Sequence, residues 1–566
     1  MLKKSFIATS ISTLVVMHAF ASDNPVTILS ATQLAQRCAQ MTEGLPKGEN
    51  VIIHANVLNP DTPTSPAHCQ VDGEINHRIG IDGQTYGIHF RLRLPTANWN
   101  SRFYMSGGGG TNGVLIDPVA RVSQGYATIG TDSGHNNKID NAVQAAGAGS
   151  FGVDPQARID FAYNAYDQVT KIGKVLVQYF YGAAPHHAYF EGCSEGGREG
   201  MLMTQRFPQH YNGVIAGDPT FHLPLGPLNG IYTTQLFAGL AQRAGLTLPA
   251  GQPAIAKTYS DADLHLVNQA VLDACDGLDG LVDGIVDNMP ACTNQRVEAQ
   301  LAAIQCTGDK NNSCLSKDQI VTMQKAFSSL TNAQGKPLYS DWPWDAGISG
   351  KADGKYNQGW RSWWLGAYDS PTNNSAKLNY ATPLAVVYTT PPSLPISVAD
   401  SLSYSLNYNF DTDPQKLYAA SGIYKKSAAE LFFTDETDLS KFRDRGGKLM
   451  MYQGGSDSAI STNDILNWYK AMDKKMDSQA NKFARMFVVP GMNHCRGGPA
   501  TDHFDMLPQL VNWVENGIAP ESVIAKSNNP AYFNVDSRSR PLCPYPLQTR
   551  YRGSGSINEA SNFSCQ

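Results

Sequence analysis

Gly192-Cys193-Ser194-Glu195-Gly196 and His494-Cys495 decide the reading of this chain, because each sets a reactive side chain directly beside a cysteine. A disulfide between Cys193 and Cys495 would hold their Cα atoms roughly 5.5 Å apart. Ser194 and His494 would then come within reach of one another as nucleophile and base. The first stretch also fits Gly-x-Ser-x-Gly, the sharp turn from strand to helix that lifts a serine hydroxyl above a sheet. That pentapeptide alone is a weak signal; the paired Cys-Ser and His-Cys dipeptides give it weight.

Outward from Ser194, residues 187–192 read as the strand that feeds the turn, and 162–181 carry helical periodicity. Residues 86–94, Tyr-Gly-Ile-His-Phe-Arg-Leu-Arg-Leu, alternate as a half-buried strand does. Two short strands follow, 102–105 and 127–130, the first running straight into Ser106-Gly107-Gly108-Gly109-Gly110. From about 221 to 437 the pattern breaks into turns, prolines and aromatic clusters such as Trp360 to Trp364. Alternation then resumes, with strands at 448–453 and 483–489 and helices at about 463–476 and 504–515. Such strand and helix alternation makes a mostly parallel sheet. The expected architecture is an α/β-hydrolase fold with a large inserted lid: a leader at 1–21, hydrolase halves at 22–220 and 438–566, and the lid at 221–437.

The 566-residue chain has a formal charge of -5 and no basic run, which argues against a nucleic-acid partner. Lys3 and Lys4, the apolar run Phe6 to Met17 and Ala19-Phe20-Ala21 form the charge, core and cleavage pattern of a secretory signal. The run is shorter than the roughly 20 residues a membrane span needs. The mature protein is therefore expected to be secreted or periplasmic and off the membrane; a monomer is the expectation, though nothing in the sequence sets the oligomeric state. All ten cysteines lie beyond the leader, in a compartment where disulfides persist. Many pairings are open to ten cysteines. Spacing favours closures of Cys275 with Cys292, Cys306 with Cys314 and Cys543 with Cys565, leaving Cys38 with Cys69 beside the long Cys193 to Cys495 link.

In a sheet of this kind the catalytic order is Ser, acid, His, the last two each on a loop just past a strand. Asp457, in Gly454-Gly455-Ser456-Asp457, and His494, after Pro490-Gly491-Met492-Asn493, fit those positions, with Asp464 as the alternative acid. The Glu195 N–H and the Gly107 to Gly110 loop match the oxyanion donors that acyl transfer needs. A third feature is the run from Asp276 to Asp287, where Asp276, Asp279, Asp283 and Asp287 alternate with glycines between Cys275 and Cys292. Several hard oxygen ligands on one tight loop suit a structural Ca²⁺. It is not an EF-hand, since Leu281 stands sixth and Asp287 twelfth.

With these residues in place the chain resembles the tannase and feruloyl esterase family from about Cys38 to Cys565. The resemblance runs through Gly80-Ile81-Asp82-Gly83, Gly152-Val153-Asp154-Pro155-Gln156-Ala157-Arg158, Gly192 to Gly200, Ser260 to His265, Tyr356 to Gly366, Pro490 to Cys495 and Arg540 to Pro546. It implies a triad of Ser194, Asp457 and His494 and oxyanion donors at Gly110 and Glu195. It implies Ca²⁺ ligands at Asp276, Asp279 and Asp283, with Leu281 and Ile285 ligating through their carbonyls, and the family's disulfides agree with the five pairs above. The chain looks especially like the branch acting on mono(2-hydroxyethyl) terephthalate, whose lid holds an aromatic wall and an arginine for the substrate carboxylate. Trp363 matches the wall tryptophan and Tyr388 falls where that branch has phenylalanine. Lys377 stands at the arginine position, with Tyr380 and Ala381 following. The implied activity is hydrolysis of a small aromatic ester, first of all mono(2-hydroxyethyl) terephthalate to terephthalate and ethylene glycol. Feruloyl or galloyl esters are the alternative, and an inactive binding protein on the same fold is the remote one.

Overall fold

The computed structural model describes residues 29–42, 50–63, 65–136, 147–348, 359–366, 378–393 and 400–566. The expected leader at 1–21 and Lys377 lie outside the described residues. Nine strands build one sheet: β1 (Val51–Asn59), β2 (His68–Ile79), β3 (Thr85–Pro95), β4 (Arg102–Ser106), β5 (Ala127–Thr131), β6 (His187–Cys193), β7 (Gly213–Gly217), β8 (Lys448–Gly454) and β9 (Ala484–Val489). Their spatial order is β1-β2-β3-β5-β4-β6-β7-β8-β9. The six strands from β5 to β9 in that order run parallel, and β1, β2 and β3 extend them antiparallel.

Successive side chains on a strand point to opposite faces, and the apolar central strands bury both. Phe190, Val214, Ala216, Leu449 and Met451 pack under the helices Ala165–Tyr181, Glu195–Gln205 and Thr462–Lys475. Tyr189, Ile215, Met450 and Phe487 pack against Leu507–Asn516 on the other face. Covering both faces is what a parallel sheet requires.

The strands on either side of the insertion complete a single sheet, β7 pairing directly with β8. Between them the chain is more helical than its turns and prolines foretell. Leu225–Arg243, Asp261–Cys275, Asn294–Ala303 and Lys317–Phe327 are helices, and with Trp344, Trp360 and Trp364 they share a second core. The first of these carries Gly226, Pro227 and Gly230 in its opening turns and is buried on most sides, so it shows no single apolar stripe.

All five disulfides pair as expected, the three local closures that spacing favours and the two others: Cys38–Cys69, Cys193–Cys495, Cys275–Cys292, Cys306–Cys314 and Cys543–Cys565. No helix among the described residues is long and apolar enough to cross a membrane.

Candidate active site

Ser194 sits between the end of β6 and the helix Glu195–Gln205 with φ 65° and ψ -123°, a conformation an L side chain adopts only under constraint. Its N–H donates to the Gly217 carbonyl at 2.9 Å. The flanking glycines are required by space: a Cβ on Gly192 would strike the Gly196 carbonyl, and one on Gly196 would lie 2.7 Å from the Gly108 carbonyl. The pentapeptide is thus a steric solution that presents one hydroxyl at the top of the sheet.

His494 follows β9, and its Nδ1 lies 2.8 Å from Asp457 Oδ2. Asp457 is held in turn, Oδ1 accepting the N–H groups of Ala459 (2.7 Å) and Ile460 (3.0 Å) and Oδ2 accepting from Gln453 Nε2 (3.2 Å). A carboxylate at Nδ1 fixes the imidazole tautomer and leaves Nε2 as the nitrogen able to take a proton. Burial works against the imidazolium, but Asp457, with Asp218 beyond it, outweighs burial and raises the His494 pKa. Asp464 is elsewhere, bound to His222 Nδ1 at 3.0 Å. The Cys193–Cys495 bridge, Cα to Cα 6.0 Å, ties the turn before Ser194 to the residue after His494.

Two further acids were not legible in the sequence. Asp218, directly after β7 and fully buried, accepts the Gly454 N–H on Oδ1 and the Cys495 N–H on Oδ2, each at 2.7 Å. It fastens the β8 end to the histidine loop, and its carboxylate lies within 4.8 Å of ligand atoms of both Asp457 and His494. Burial, reinforced by the Asp457 charge, pushes the Asp218 carboxyl up to about 7. Asp345, from the segment between β7 and β8, accepts from the Gly491 N–H (2.6 Å) and the Ser456 hydroxyl (2.9 Å) on one oxygen, and from the Ala346 N–H (2.8 Å) on the other. It joins the loops that carry His494 and Asp457.

The glycine loop is stitched to the helix behind Ser194. Gly196 N–H donates to the Gly108 carbonyl (3.0 Å), and Gly108 N–H donates to Glu199 Oε2 (3.0 Å). Gly110 takes φ 61°, left-handed backbone that favours glycine. Glu199 is fully buried and also accepts from Asn112 Nδ2 at 2.7 Å; burial, then the nearby Glu195 charge, lifts it to about 8. The Glu195 side chain turns inward to a buried ion pair with Arg198 at 2.5 Å.

Trp363 presents its ring edge-on to His494, centroids 5.3 Å apart at 77°, and neighbours Tyr380 at 6.2 Å. Tyr380 packs where Gly230 leaves room for its ring. Tyr388 is 1 % exposed with its ring edge-on to Phe432, and Ala381 is buried with Ala385 and Val386. Of the expected wall, Trp363 is therefore the residue that touches the histidine.

The acidic loop closes on itself. Asp276 accepts the N–H groups of Asp283 (3.1 Å) and Gly284 (2.9 Å), and Asp279 accepts that of Leu281 (2.8 Å). Asp283 accepts the Ile285 N–H (3.1 Å), while Arg540 donates to its other oxygen. The loop's carboxylates are hard oxygen donors, the chemistry Ca²⁺ takes. Among the described residues, three groups of His, Cys, Asp or Glu have ligand atoms within 4.8 Å of one another, and none falls in this loop.

Residues 69–566 match the family described as tannase and feruloyl esterase. A mono(2-hydroxyethyl) terephthalate hydrolase from Piscinibacter sakaiensis is 48% identical over 517 residues, covering 88% of this chain and 85% of that one. A probable feruloyl esterase B-1 from Aspergillus flavus is 27% identical, covering 90% of each chain. The crystal structure of feruloyl esterase B from Aspergillus oryzae superposes with a TM-score of 0.70 at 24% identity, over 94% of this chain and all of that one. A shared α/β-hydrolase fold follows.

Proposed function

The chain is a carboxylic ester hydrolase belonging to the tannase and feruloyl esterase family, and on that premise we propose that Ser194, His494 and Asp457 hydrolyse esters of aromatic acids, mono(2-hydroxyethyl) terephthalate before others. The observation that carries this reading is the His494–Asp457 pair bridged through Cys193–Cys495 to a serine held at positive φ.

Ser194 Oγ attacks the ester carbonyl while His494 Nε2 takes its proton and Asp457 stabilises the imidazolium. The N–H groups of Glu195 and Gly110 receive the oxyanion. His494 returns the proton to the leaving alcohol, and water activated by the same imidazole releases the acid from the acyl-enzyme. Asp218 acts as a positioning residue, holding the backbone at Gly454 and Cys495.

For the substrate, the support is the 48% identity to the Piscinibacter enzyme and the Trp363 ring beside His494. In this reading the segment at 221–437 is a lid. Trp363 with its neighbour Tyr380 shapes its aromatic side, and Lys377 meets the free carboxylate as a point charge, without the planar fork of arginine. A phenolic ester is the second reading, supported by the Aspergillus feruloyl esterase relatives. Asp276, Asp279 and Asp283 with the carbonyls of Leu281 and Ile285 would hold a structural Ca²⁺, which would neutralise their charge. The leader pattern and five disulfides support export to the periplasm or beyond.

The test is kcat/KM on mono(2-hydroxyethyl) terephthalate, methyl ferulate and methyl gallate, with Lys377→Ala in parallel. A lead for the terephthalate ester that Lys377→Ala erases supports the first reading; a lead for ferulate or gallate moves the specificity to phenolic esters. Failure of a fluorophosphonate to label Ser194 would overturn the esterase mechanism and leave a binding protein.

A further inference from the structure

The antiparallel edge of the sheet gathers histidines in a way its own folding does not require. His54 Nε2 lies 3.0 Å from Glu74 Oε2, His77 Nδ1 lies 2.8 Å from Glu74 Oε1, and His89 Nε2 lies 3.8 Å from that same oxygen. The ligand atoms of His54, Glu74 and His89 are all within 4.8 Å of one another, one residue from each of β1, β2 and β3. The His54 and His89 rings are near parallel, 26° apart with centroids at 6.3 Å.

Three departures from regular sheet converge on this cluster. In β1, Ile53 pairs with Gly73 and Ala55 with Asp72, so His54 is the extra residue of a bulge. In β2, Ile75 pairs with Ile88 and Arg78 with Tyr86, so Asn76 and His77 together face Gly87, with Asn76 at φ 58°. Regular alternation would put residues 74 and 77 on opposite faces; the bulge brings His77 to Glu74. Bulges re-aim side chains in this way beside functional sites. Gly87 is the third departure, because a Cβ there would run into the Glu74 carboxylate.

Behind the cluster, Asp132 Oδ2 lies 2.7 Å from His89 Nδ1, and Asp132 Oδ1 accepts the backbone N–H of His89 and of Gly134, each at 3.0 Å. A carboxylate on the far nitrogen fixes the tautomer, so the His89 Nε2 lone pair faces Glu74. This is the outer-shell partner that metal-binding histidines characteristically have. The Glu74 side chain is 5% exposed while those of His54 and His77 are about half exposed, so the carboxylate is shielded yet solvent can deliver an ion.

We propose that His54, Glu74 and His89 bind one divalent transition-metal ion of the zinc class at this edge, with water completing its coordination and His77 orienting the Glu74 carboxylate. Imidazole with carboxylate suits zinc and disfavours calcium or magnesium, which take oxygen ligands. The site is separate from the acidic loop and from Ser194, and it clamps β1 and β3 onto β2.

The test uses tag-free, oxidised protein, stripped with chelator and returned to excess Ca²⁺, then titrated with Zn²⁺ by calorimetry and with Co²⁺ by visible absorption. The expected result is one Zn²⁺ per chain and the intense Co²⁺ spectrum of a four- or five-coordinate site. His54→Ala and His89→Ala should each weaken binding at least 10-fold, and Asp132→Asn about 10- to 100-fold. His265→Ala, on an exposed position elsewhere, should bind as the parent does, and all variants should keep its esterase activity as evidence of folding. Equal Zn²⁺ binding by the parent and by His54→Ala/His89→Ala, or a weak octahedral Co²⁺ spectrum in the parent, overturns the proposal.

Discussion

Asp218→Asn should make the enzyme slower and, above neutral pH, more stable. The carboxyl titrates at about 7 in the folded chain and near 3.9 unfolded. A raised folded value means that its contribution is intact below about pH 3.9 and is lost as pH rises through about 7. Integrated over that window the loss is about 4 kcal/mol. Asparagine removes this dependence but has one acceptor oxygen where the structure has two N–H donors, Gly454 and Cys495, each at 2.7 Å. One of them then faces an NH₂ group, a buried mismatch that costs about 1–3 kcal/mol. The variant should therefore be less stable than the parent by about 1–3 kcal/mol near pH 4 and more stable by a similar amount near pH 8. Chemical denaturation at the two pH values reads this directly. Because either N–H anchors a loop of the triad, Gly454 ahead of Asp457 or Cys495 beside His494, kcat should fall about 10- to 100-fold with KM little changed. The acid limb of the pH profile should move to lower pH, since a negative neighbour that favours the imidazolium is gone. The same stability difference at both pH values, with an unmoved acid limb, would refute the reasoning.

Ser194→Ala should lower turnover by at least about 10⁴-fold without altering the circular dichroism spectrum; residual activity near the parent's rules out this nucleophile. Cys193→Ala/Cys495→Ala opens a loop with a sequence separation of 302 residues, and the chain-entropy relation puts the lost stability at roughly 5–6 kcal/mol. Its melting temperature and kcat should fall together. Excess chelator should lower the melting temperature of the parent, and Ca²⁺ should restore it where Mg²⁺ does not; an unchanged melt removes calcium from the acidic loop.

The placing of Ser194, His494 and Asp457 was legible because the signals are local: a pentapeptide whose glycines are sterically required, Cys-Ser and His-Cys dipeptides that a disulfide ties together, and an acid on the loop just past a strand. Asp218 was not, because β7, Gly-Val-Ile-Ala-Gly, is buried on both faces and shows no alternation. With that strand unread, the acid at its end had no address. β1 and β2 were missed for the opposite reason: bulges at His54 and at Asn76-His77 break the period of two that reveals a strand. The helix Leu225–Arg243 of the inserted segment was hidden by early glycine and proline and by burial that leaves no polar face. The fate of Tyr388 and Ala381, packed into the second core and a small neighbouring cluster, depends on long-range contacts that spacing along a chain does not encode.

The Asp345 carboxylate bears on how such enzymes could be recombined. It belongs to the segment thought of as a cover, yet it grips Gly491 and Ser456, the backbone and hydroxyl that set where His494 and Asp457 begin. That segment is consequently not a modular cap. A graft that brings a relative's aromatic wall onto this scaffold must import an acid at this point or detune the catalytic loops beneath it. Selectivity and rate then inherit one shared fastening, and directed evolution of either should repeatedly find the other.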